Sequence, residues 1–263
     1  MHKNMQGKIN KAAEMIARAK KIIVFTGAGI STESGISDFR GPGGVWSRYN
    51  PDDFTIDKFM NSGESRKKLW QWMREAGLTA DVLPNAAHQA IVELEKMNKV
   101  SAVVTQNVDN LHQLAGSNPG KIYELHGNMQ VVACLDCGER YPLAGIVEKN
   151  PLPQQVPVCE KCSGILKPDV VFFGEELPQN TLIKAAEEAQ KCDLLIVVGS
   201  SLVVYPAAYI PLYAKNSGAG IIIINLEPTE QDDIADVLIN EPAGKAMTGI
   251  MDRLKEILPQ NNS

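Results

Sequence analysis

The chain has 263 residues, of which 44% are hydrophobic and 22% charged, and its formal net charge is −5. This length can bury the core of one large domain, or of a large domain with a smaller one, and the composition is that of an ordinary globular protein. The net negative charge and the lack of a long basic run argue against a dedicated nucleic-acid binder. No apolar run approaches the ~20 residues of a membrane helix, and the polar N-terminal stretch lacks a signal-peptide core. We therefore expect a cytoplasmic protein without a membrane partner.

Short apolar runs alternate with helical patterns along most of the chain. Such alternation predicts right-handed crossovers and a parallel sheet covered on both faces, that is, an α/β fold. The first run, Ile22–Thr26, is continuous and β-branched, as in a strand buried on both sides. In chain order, the pattern predicts a helix over 9–20, a strand over 22–26, a helix over 85–97, a strand over 100–105, a helix over 178–191, strands over 194–198 and 221–225, and a helix over 244–258.

Two segments interrupt this alternation. Residues 45–83 carry all three tryptophans and many charges, which indicates a helical insertion. Residues 131–166 hold four cysteines and several prolines, a composition typical of a small module stabilised by a metal. We expect these two segments to form a small domain, and residues 1–44, 84–130 and 167–263 to form the large one.

A glycine-rich turn, with Gly27, Ala28 and Gly29, directly follows the first predicted strand. Glycines there let the backbone approach a pyrophosphate, whose charge the amides of a helix start can bind. The dinucleotide motif G-x-G-x-x-G needs a third glycine where Thr32 stands, so a simple tight turn is equally possible. The pair Phe39 and Arg40 favours a site for an aromatic ring and a phosphate, with an ordinary surface loop as the alternative.

Polar side chains follow the strand predicted over 100–105. Gln106, Asn107 and Asp109 stand there, and open parallel sheets bind ligands at the carboxyl ends of their strands. These side chains suit ribose hydroxyls and a carboxamide, but loop capping explains them equally well. Two later strand ends suit the adenosine half of a dinucleotide in the same way. Their residues are Gly199, Ser200, Ser201, Asn225 and Glu227.

Cys134, Cys137, Cys159 and Cys162 form two C-x-x-C pairs, a strong signal for one zinc ion. Four thiolates close a tetrahedral shell, so the metal is expected to be structural. Disulfides are a weak alternative in a cytosolic chain, and the acidic charge weakens a nucleic-acid-binding zinc ribbon without excluding it. The nearby His126 is then left without a metal to bind and is a candidate general base.

Together these motifs resemble the sirtuin family of NAD-dependent protein deacylases, and most of all its bacterial members. GAGIS, GISDFR, TQNVDNLH, the LHG at His126, the C-x-x-C pairs, VVFFGE, GSS and NLEP appear in the family's order over nearly the whole chain. One departure is Ser37, which stands where the family usually has proline. The resemblance implies an inverted Rossmann-like large domain and a small zinc-bearing domain, with NAD and substrate in the cleft between them.

The resemblance also implies a reaction. The carbonyl oxygen of acyl-lysine attacks the anomeric carbon of the nicotinamide ribose, and nicotinamide leaves. His126 then acts as general base on a ribose hydroxyl, which attacks the resulting alkylamidate, and water completes the release of lysine and O-acyl-ADP-ribose. A neutral imidazole near pH 7 suits this step.

The family's site residues carry over by position. Asn107 matches an asparagine that orients ribose or water, and is expected to be catalytic with His126. The expected NAD contacts are Gly27, Ala28, Gly29, Thr32, Phe39, Arg40, Gln106, Val108, Asp109, Gly199, Ser200, Ser201, Asn225, Glu227 and Ala243. An acetyl-lysine protein or peptide is expected to add as a β-strand. Its expected contacts are Val170, Phe172, Gly174, Val203 and Tyr205.

Acyl choice follows from the helical insertion. Relatives that prefer succinyl or malonyl groups carry a Tyr and an Arg three residues apart, where this chain has Trp70 and Met73, with Arg74 one residue away. An apolar pocket does not offset the desolvation of a carboxylate. We therefore predict acetyl or longer neutral chains over acidic ones.

Three other functions remain as alternatives. An ADP-ribosyltransferase or NAD glycohydrolase would use the same pocket without forming O-acetyl-ADP-ribose. A zinc-ribbon module would bind nucleic acid with a steep salt dependence. A Rossmann oxidoreductase is less favoured, because the glycine motif is broken and the zinc has no open coordination position.

Overall fold

The computed structural model describes residues 2–75, 82–152 and 154–258. Residues 1, 76–81, 153 and 259–263 of the predicted domains lie outside the described residues. The strands, in chain order, are β1 (Ile22–Thr26), β2 (Val100–Thr105), β3 (Ile122–Glu124), β4 (Gly127–Cys134), β5 (Arg140–Pro142), β6 (Leu166–Val170), β7 (Leu194–Val198), β8 (Gly220–Ile224) and β9 (Val237–Ile239). The α-helices are α1 (His2–Arg18), α2 (Ile56–Asn61), α3 (Gly63–Glu75), α4 (Ala86–Lys96), α5 (Leu111–Ala115), α6 (Leu143–Lys149), α7 (Gln179–Lys191), α8 (Tyr209–Asn216) and α9 (Ala243–Ile257).

A six-stranded parallel sheet, in the order β3-β2-β1-β7-β8-β9, forms the large domain. Its central strands are mostly apolar because both faces are covered. Ile22 and Val24 pack with α1, α4 and α9, whereas Ile23 and Phe25 pack on the opposite face with α7 and α8. The predicted Rossmann-like α/β fold is confirmed.

The order of the strands reverses between β1 and β7. From β1 the chain proceeds outward through β2 to β3, and from β7 it proceeds the other way through β8 to β9. Such a reversal opens a crevice at the carboxyl ends of the strands. In the register of the sheet, Thr26 lies opposite both Thr105 and Val198. The loops that follow these three residues therefore meet at one place.

The small domain combines an antiparallel sheet, β5-β4-β6, with α2, α3 and α6. Its core is largely aromatic; Trp72 meets Phe54 edge-on with ring centroids 5.4 Å apart. Two backbone hydrogen bonds, Phe173 N to Phe54 O and Ile56 N to Phe173 O, join the helical insertion to the chain after β6. The strands β4 and β6 extend to Gly127 and Val170, beyond the predicted limits of 131 and 166.

The predicted elements agree with the structure apart from their ends. The first helix begins at His2 instead of residue 9, and the others shift by one or two residues. The sequence pattern missed β3, β9, α5 and α8, and it also missed the elements of the cysteine-bearing segment, β4, β5, β6 and α6. No helix in the described part of the chain is both long and apolar enough to cross a membrane.

Candidate functional site

The turns after β1 and β7 touch backbone to backbone. Gly29 N donates to Gly199 O at 2.8 Å. A Cβ on Gly29 would lie 2.8 Å from Gly199 Cα, and one on Gly27 would lie 2.8 Å from Gly199 O. Gly199 itself has φ +66, in the left-handed region that favours glycine. These glycines are thus required by the packing of the two turns against each other, whatever ligand lies above them.

Gln106, directly after β2, links His126 to the turn after β7. Its backbone N donates to Thr26 O at 3.0 Å, its side chain donates to Ser200 Oγ at 2.8 Å, and its carbonyl lies 3.0 Å from His126 Nδ1. A carbonyl can only accept, so Nδ1 carries the proton and Nε2 keeps its lone pair. Burial lowers the pKa of His126, against a smaller opposite effect of the Gln106 bond, so the ring is neutral at pH 7. The geometry therefore leaves Nε2 as a base.

The backbone of His126 is fixed as well. It follows the edge strand β3, and Leu125 N donates to Thr105 O at 2.9 Å, while Val171 N donates to His126 O at 2.9 Å. The next residue, Gly127, has φ +79, and a Cβ there would lie 2.2 Å from Asp169 O. His126 thus lies at the junction of the two sheets and close to the segment that follows β6.

Asn107, Ser31 and Asp109 form a buried hydrogen-bonded group. Asn107 Nδ2 donates to Gly27 O and to Ser31 Oγ, both at 3.2 Å, and Ser31 Oγ donates to Asp109 Oδ2 at 2.7 Å. Asp109 Oδ1 accepts from the N–H of Leu111 at 3.0 Å, at the start of α5. Desolvation is the main cause that raises the pKa of Asp109, and these hydrogen bonds oppose it. Both carboxylate oxygens therefore have partners within the protein.

Ser31 was not among the predicted site residues, although it lies in the quoted GAGIS motif. It is fully buried and connects the turn after β1 to the polar loop after β2. The signal in the sequence was a serine two residues after the glycine turn.

Phe39 and Arg40 lie on the side of the small domain. The Phe39 ring packs on Trp46 with centroids 5.1 Å apart, and Trp46 N donates to Phe39 O at 3.0 Å. Arg40 is exposed, and no hydrogen bond among the described residues joins it to the turn at 27–29. Thr32 is also exposed and donates to Gly29 O at 3.0 Å. Val108 is half-buried against the small-domain core.

The predicted adenosine side lies at the ends of β7 and β8. Gly199 N donates to Ile224 O at 2.8 Å, which joins the two strand ends. Asn225 Nδ2 donates to Glu227 O at 2.7 Å and so shapes the turn after β8. Ser200 is buried, Ser201 half-buried, and Ala243 begins α9 with 6% of its surface exposed. The glycine turn, the polar loop and these strand ends share the carboxyl edge of the sheet.

The four cysteines converge as predicted. All four Sγ atoms lie within 4.8 Å of one another, with Cys134 to Cys162 at 3.5 Å and Cys137 to Cys159 at 3.6 Å. Zinc–sulfur bonds of ~2.3 Å place tetrahedral sulfurs about 3.8 Å apart, so the arrangement fits one zinc ion. The Tyr141 hydroxyl lies 3.2 Å from Cys159 Sγ, and this contact is the largest cause that lowers the pKa of that thiol, to about 6. The cluster has its four ligands without His126, as expected of a structural site.

The predicted substrate residues differ in what they expose. Phe172 is buried, packs on Phe59 at 5.1 Å, and donates its backbone N–H to Glu175 Oε2 at 2.7 Å. Val170 and Val203 are half-buried, whereas Gly174 and Tyr205 are exposed. Gly174, Tyr205 and the exposed parts of Val170 and Val203 are accessible to a peptide, whereas the Phe172 side chain belongs to the core.

An ion pair under this segment was not predicted. Lys167 Nζ lies 2.9 Å from Glu175 Oε2, 2.6 Å from Val170 O and 4.3 Å from the centre of the Phe172 ring. No feature of the sequence indicated this ion pair, since a lysine in a strand is normally exposed.

The residues predicted to choose the acyl group lie in the small-domain core. Trp70 and Met73 have no exposed surface and belong to the same apolar cluster as Phe172. Arg74, one residue further, donates to Gln155 O at 2.9 Å in the zinc-bearing part of the chain. Trp70 and Met73 are therefore core residues, and the Arg74 guanidinium lies 6.0 Å from the centre of the Trp70 ring.

Comparison with known proteins agrees with this geometry. A model of the Sir2 family matches residues 27–206. The chain is 47% identical over 254 residues to an NAD-dependent protein deacylase 2 of Archaeoglobus fulgidus, covering 96% of this chain and 98% of the relative. It is 46% identical over 253 residues to an NAD-dependent protein deacetylase of Caldivirga maquilingensis, covering 96% of both chains.

Solved structures give the same result. A Sir2 complex with a p53 peptide and NAD⁺ superposes with a TM-score of 0.83 at 38% identity, covering 93% of this chain and 97% of that one. Sir2Af2 bound to a myristoylated histone peptide superposes with a TM-score of 0.80 at 42% identity, covering 96% and 98%. The parallel sheet with its switch-point crevice and the four-cysteine module thus define a Rossmann-like protein with a zinc-binding small domain. The chain belongs to the Sir2 family, the sirtuins, as its motifs predicted.

Proposed function

We propose that this chain is an NAD-dependent protein lysine deacetylase, which transfers the acetyl group of acetyl-lysine to ADP-ribose and releases nicotinamide and O-acetyl-ADP-ribose. The observation that carries the proposal is the state of His126: neutral, with Nδ1–H donated to the Gln106 carbonyl and Nε2 left as a base. The names of the relatives, deacylase and deacetylase, support the same reaction.

When bound, NAD supplies a ribose carbon that accepts the acyl oxygen as nicotinamide departs. The carboxyl ends of β1, β2, β7 and β8 are the expected binding surface, with the glycine turn toward the pyrophosphate and Asn225 and Glu227 toward the adenosine. His126 Nε2 takes the proton of a ribose hydroxyl. The carbonyl of Gln106 stabilises the imidazolium that forms, because it accepts from Nδ1–H. Asn107 holds its amide against Gly27 O and Ser31 Oγ and orients ribose or water.

The proposed substrate is an acetyl-lysine peptide that adds as a β-strand beside Gly174 and the segment at Val203 and Tyr205. Backbone pairing of this kind places little demand on the peptide's sequence. The apolar side chains of Trp70 and Met73 support acetyl or longer neutral acyl groups over acidic ones, because an apolar surface does not offset the desolvation of a carboxylate. The cytoplasmic location and the lack of nucleic-acid binding stay predictions from composition.

The decisive variant is His126→Ala, assayed for O-acetyl-ADP-ribose from an acetyl-lysine peptide. Loss of a general base lowers kcat by about 10²–10⁴-fold. Because nicotinamide leaves before the base acts, peptide-dependent exchange of labelled nicotinamide into NAD is expected to persist in the variant. Zinc content is expected to stay at one per chain; zinc loss would instead make His126 a ligand.

Wild-type protein that hydrolyses NAD without forming O-acetyl-ADP-ribose would refute the proposal in favour of a glycohydrolase or ADP-ribosyltransferase. In the same assay, faster turnover of succinyl-lysine than of acetyl-lysine peptide would refute the acyl preference.

A further inference from the structure

Two buried histidines lie beneath the site and have no part in the reaction proposed above. His88, on α4, has no exposed surface, and His112, on α5, has 2% exposed. Their rings pack edge to face with centroids 5.1 Å apart. His88 Nε2 and His112 Nδ1 are buried and have no hydrogen-bond partner among the described residues. Two unpaired polar atoms in adjacent buried rings call for an explanation, because each costs desolvation energy.

The tautomer of His88 follows from the start of α4. The backbone N–H of Asn85, the N-cap residue, donates to His88 Nδ1 at 3.4 Å in a capping box. A nitrogen that accepts carries no proton in a neutral imidazole, so the proton of His88 lies on Nε2. His88 thus presents an N–H donor toward its neighbours.

Two hydroxyls connect His112 to Asn107, in the polar loop after β2. His112 Nε2 lies 3.0 Å from Thr26 Oγ1, and Thr26 Oγ1 donates to Thr105 Oγ1 at 2.8 Å. Thr105 Oγ1 also accepts the backbone N–H of Asn107 at 3.0 Å. A hydroxyl has one proton, and that of Thr26 goes to Thr105, so Thr26 accepts from His112. His112 then carries its proton on Nε2 and leaves Nδ1 as an acceptor.

Donation in the opposite direction, from Thr26 to His112, is disfavoured because it would leave two buried N–H donors unpaired. If Thr26 donated to His112, the proton of His112 would lie on Nδ1, and two unpaired N–H donors would be buried in adjacent rings. In the assigned direction the pair presents one donor, His88 Nε2–H, and one acceptor, His112 Nδ1. A donor and an acceptor in adjacent rings cost less than two buried donors without an acceptor.

We propose that His112 is a positioning residue for the reaction. As the neutral Nε2–H tautomer it donates to Thr26 Oγ1 and so fixes the Thr26–Thr105 hydroxyl pair. Thr105 Oγ1 in turn accepts the backbone N–H of Asn107. This inference rests on the proposed function, in which Asn107 orients ribose or water. The bond to Thr105 fixes the backbone of Asn107 and so holds its side-chain amide toward Gly27 O and Ser31 Oγ. The ring of His88 packs on that of His112 and completes the buried pair.

Two further observations support the assignment. Burial lowers the pKa of His88 to about 4 and, with a smaller contribution from His88, that of His112 to about 3, so both rings are neutral at pH 7. The network also reaches the segment that follows the glycine turn, through Asn85 at the start of α4. The side chain of Asn85 donates to Ile30 O at 2.7 Å and to Ser34 Oγ at 2.9 Å, just after the glycine turn.

The test compares His112→Phe with His112→Gln. Phenylalanine keeps the ring volume and removes the donor, whereas the glutamine amide can restore a donor to Thr26. We expect His112→Phe to lower kcat for O-acetyl-ADP-ribose formation about tenfold, the effect of one lost buried hydrogen bond, with KM for the peptide unchanged. His112→Gln is expected to recover most of kcat.

¹⁵N NMR of histidine-labelled wild-type protein reads the tautomers without any assay of activity. We expect both His88 and His112 as Nε2–H forms with protons protected from exchange. An Nδ1–H form of His112, or equal loss of kcat in the Phe and Gln variants, would overturn the inference while leaving the deacetylase proposal intact. If His112→Phe does not fold, the Gln variant and the wild-type tautomer decide. Wild-type protein that forms no O-acetyl-ADP-ribose would instead overturn the proposed function.

Discussion

Lys167 offers a direct measure of what holds the proposed substrate segment in place. Its side chain is only 10% exposed, and its ammonium bonds to Glu175 Oε2 at 2.9 Å and to Val170 O at 2.6 Å. Glu175 Oε2 in turn accepts the N–H of Phe172 at 2.7 Å. One lysine thus fixes both ends of the segment from 170 to 175. Lys167→Met removes the ammonium, which also lies 4.3 Å from the centre of the Phe172 ring, and keeps much of the aliphatic stem.

The expected cost follows from the partner left behind. Removing one member of a buried ion pair destabilises a protein by about 3–5 kcal/mol, because the other charge stays buried without its partner. The Glu175 side chain is 26% exposed and retains the Phe172 N–H, so water and this bond compensate part of the loss. We therefore expect the lower end, about 3 kcal/mol. We also expect KM for the acetyl-peptide to rise, since the segment loses two of its bonds.

Urea unfolding gives the free energy, and steady-state kinetics gives KM. The matched control is Arg140→Met, which removes the cation of a pair with Asp169 whose side chains are 56% and 51% exposed. Exposed pairs contribute about 0–1 kcal/mol, so this variant is expected to be nearly neutral. Adding Glu175→Gln completes a double-mutant cycle for Lys167. If Lys167→Met costs no more than Arg140→Met, the ion pair does not hold the segment.

Two further predictions concern the glycine turn and the zinc cluster. Gly29→Ala would place a Cβ 2.8 Å from Gly199 Cα, so the turns after β1 and β7 must separate, and we expect calorimetry to show a clear loss of NAD affinity. The control is Gly7→Ala in α1, where no atom lies within 4 Å of the new Cβ, and it is expected to stabilise the helix by about 0.5–1 kcal/mol. Equal NAD affinity in the two variants would contradict the steric argument. Cys137→Ser is expected to lower bound zinc well below one per chain, measured by atomic absorption, whereas Cys192→Ser, in the large-domain core, is expected to leave it unchanged. Full zinc in the first variant would show that the four thiolates are not all ligands.

The sequence by itself determined the parallel sheet, since runs such as 22–25 and Leu194–Val198 are apolar at every position and fit strands covered on both faces. It also determined the zinc site, because two C-x-x-C pairs supply four ligands whose spacing is local. Because the four cysteines complete the zinc shell, the sequence also indicated that His126 is not a metal ligand. Periodicity and spacing are properties of neighbours in the chain, so they can be read without the fold.

Tertiary structure alone decided how the site is held together. His126 is placed by β3, a strand of three residues with no pattern of its own, and its tautomer is set by a carbonyl 20 residues away. Lys167 is buried only because Glu175 and Phe172 fold over it. His112 reaches Thr26 across 86 positions of sequence. These contacts form only in the folded chain, where β1 pairs with β2 and β4 pairs with β6, and no local composition encodes which polar atom meets which.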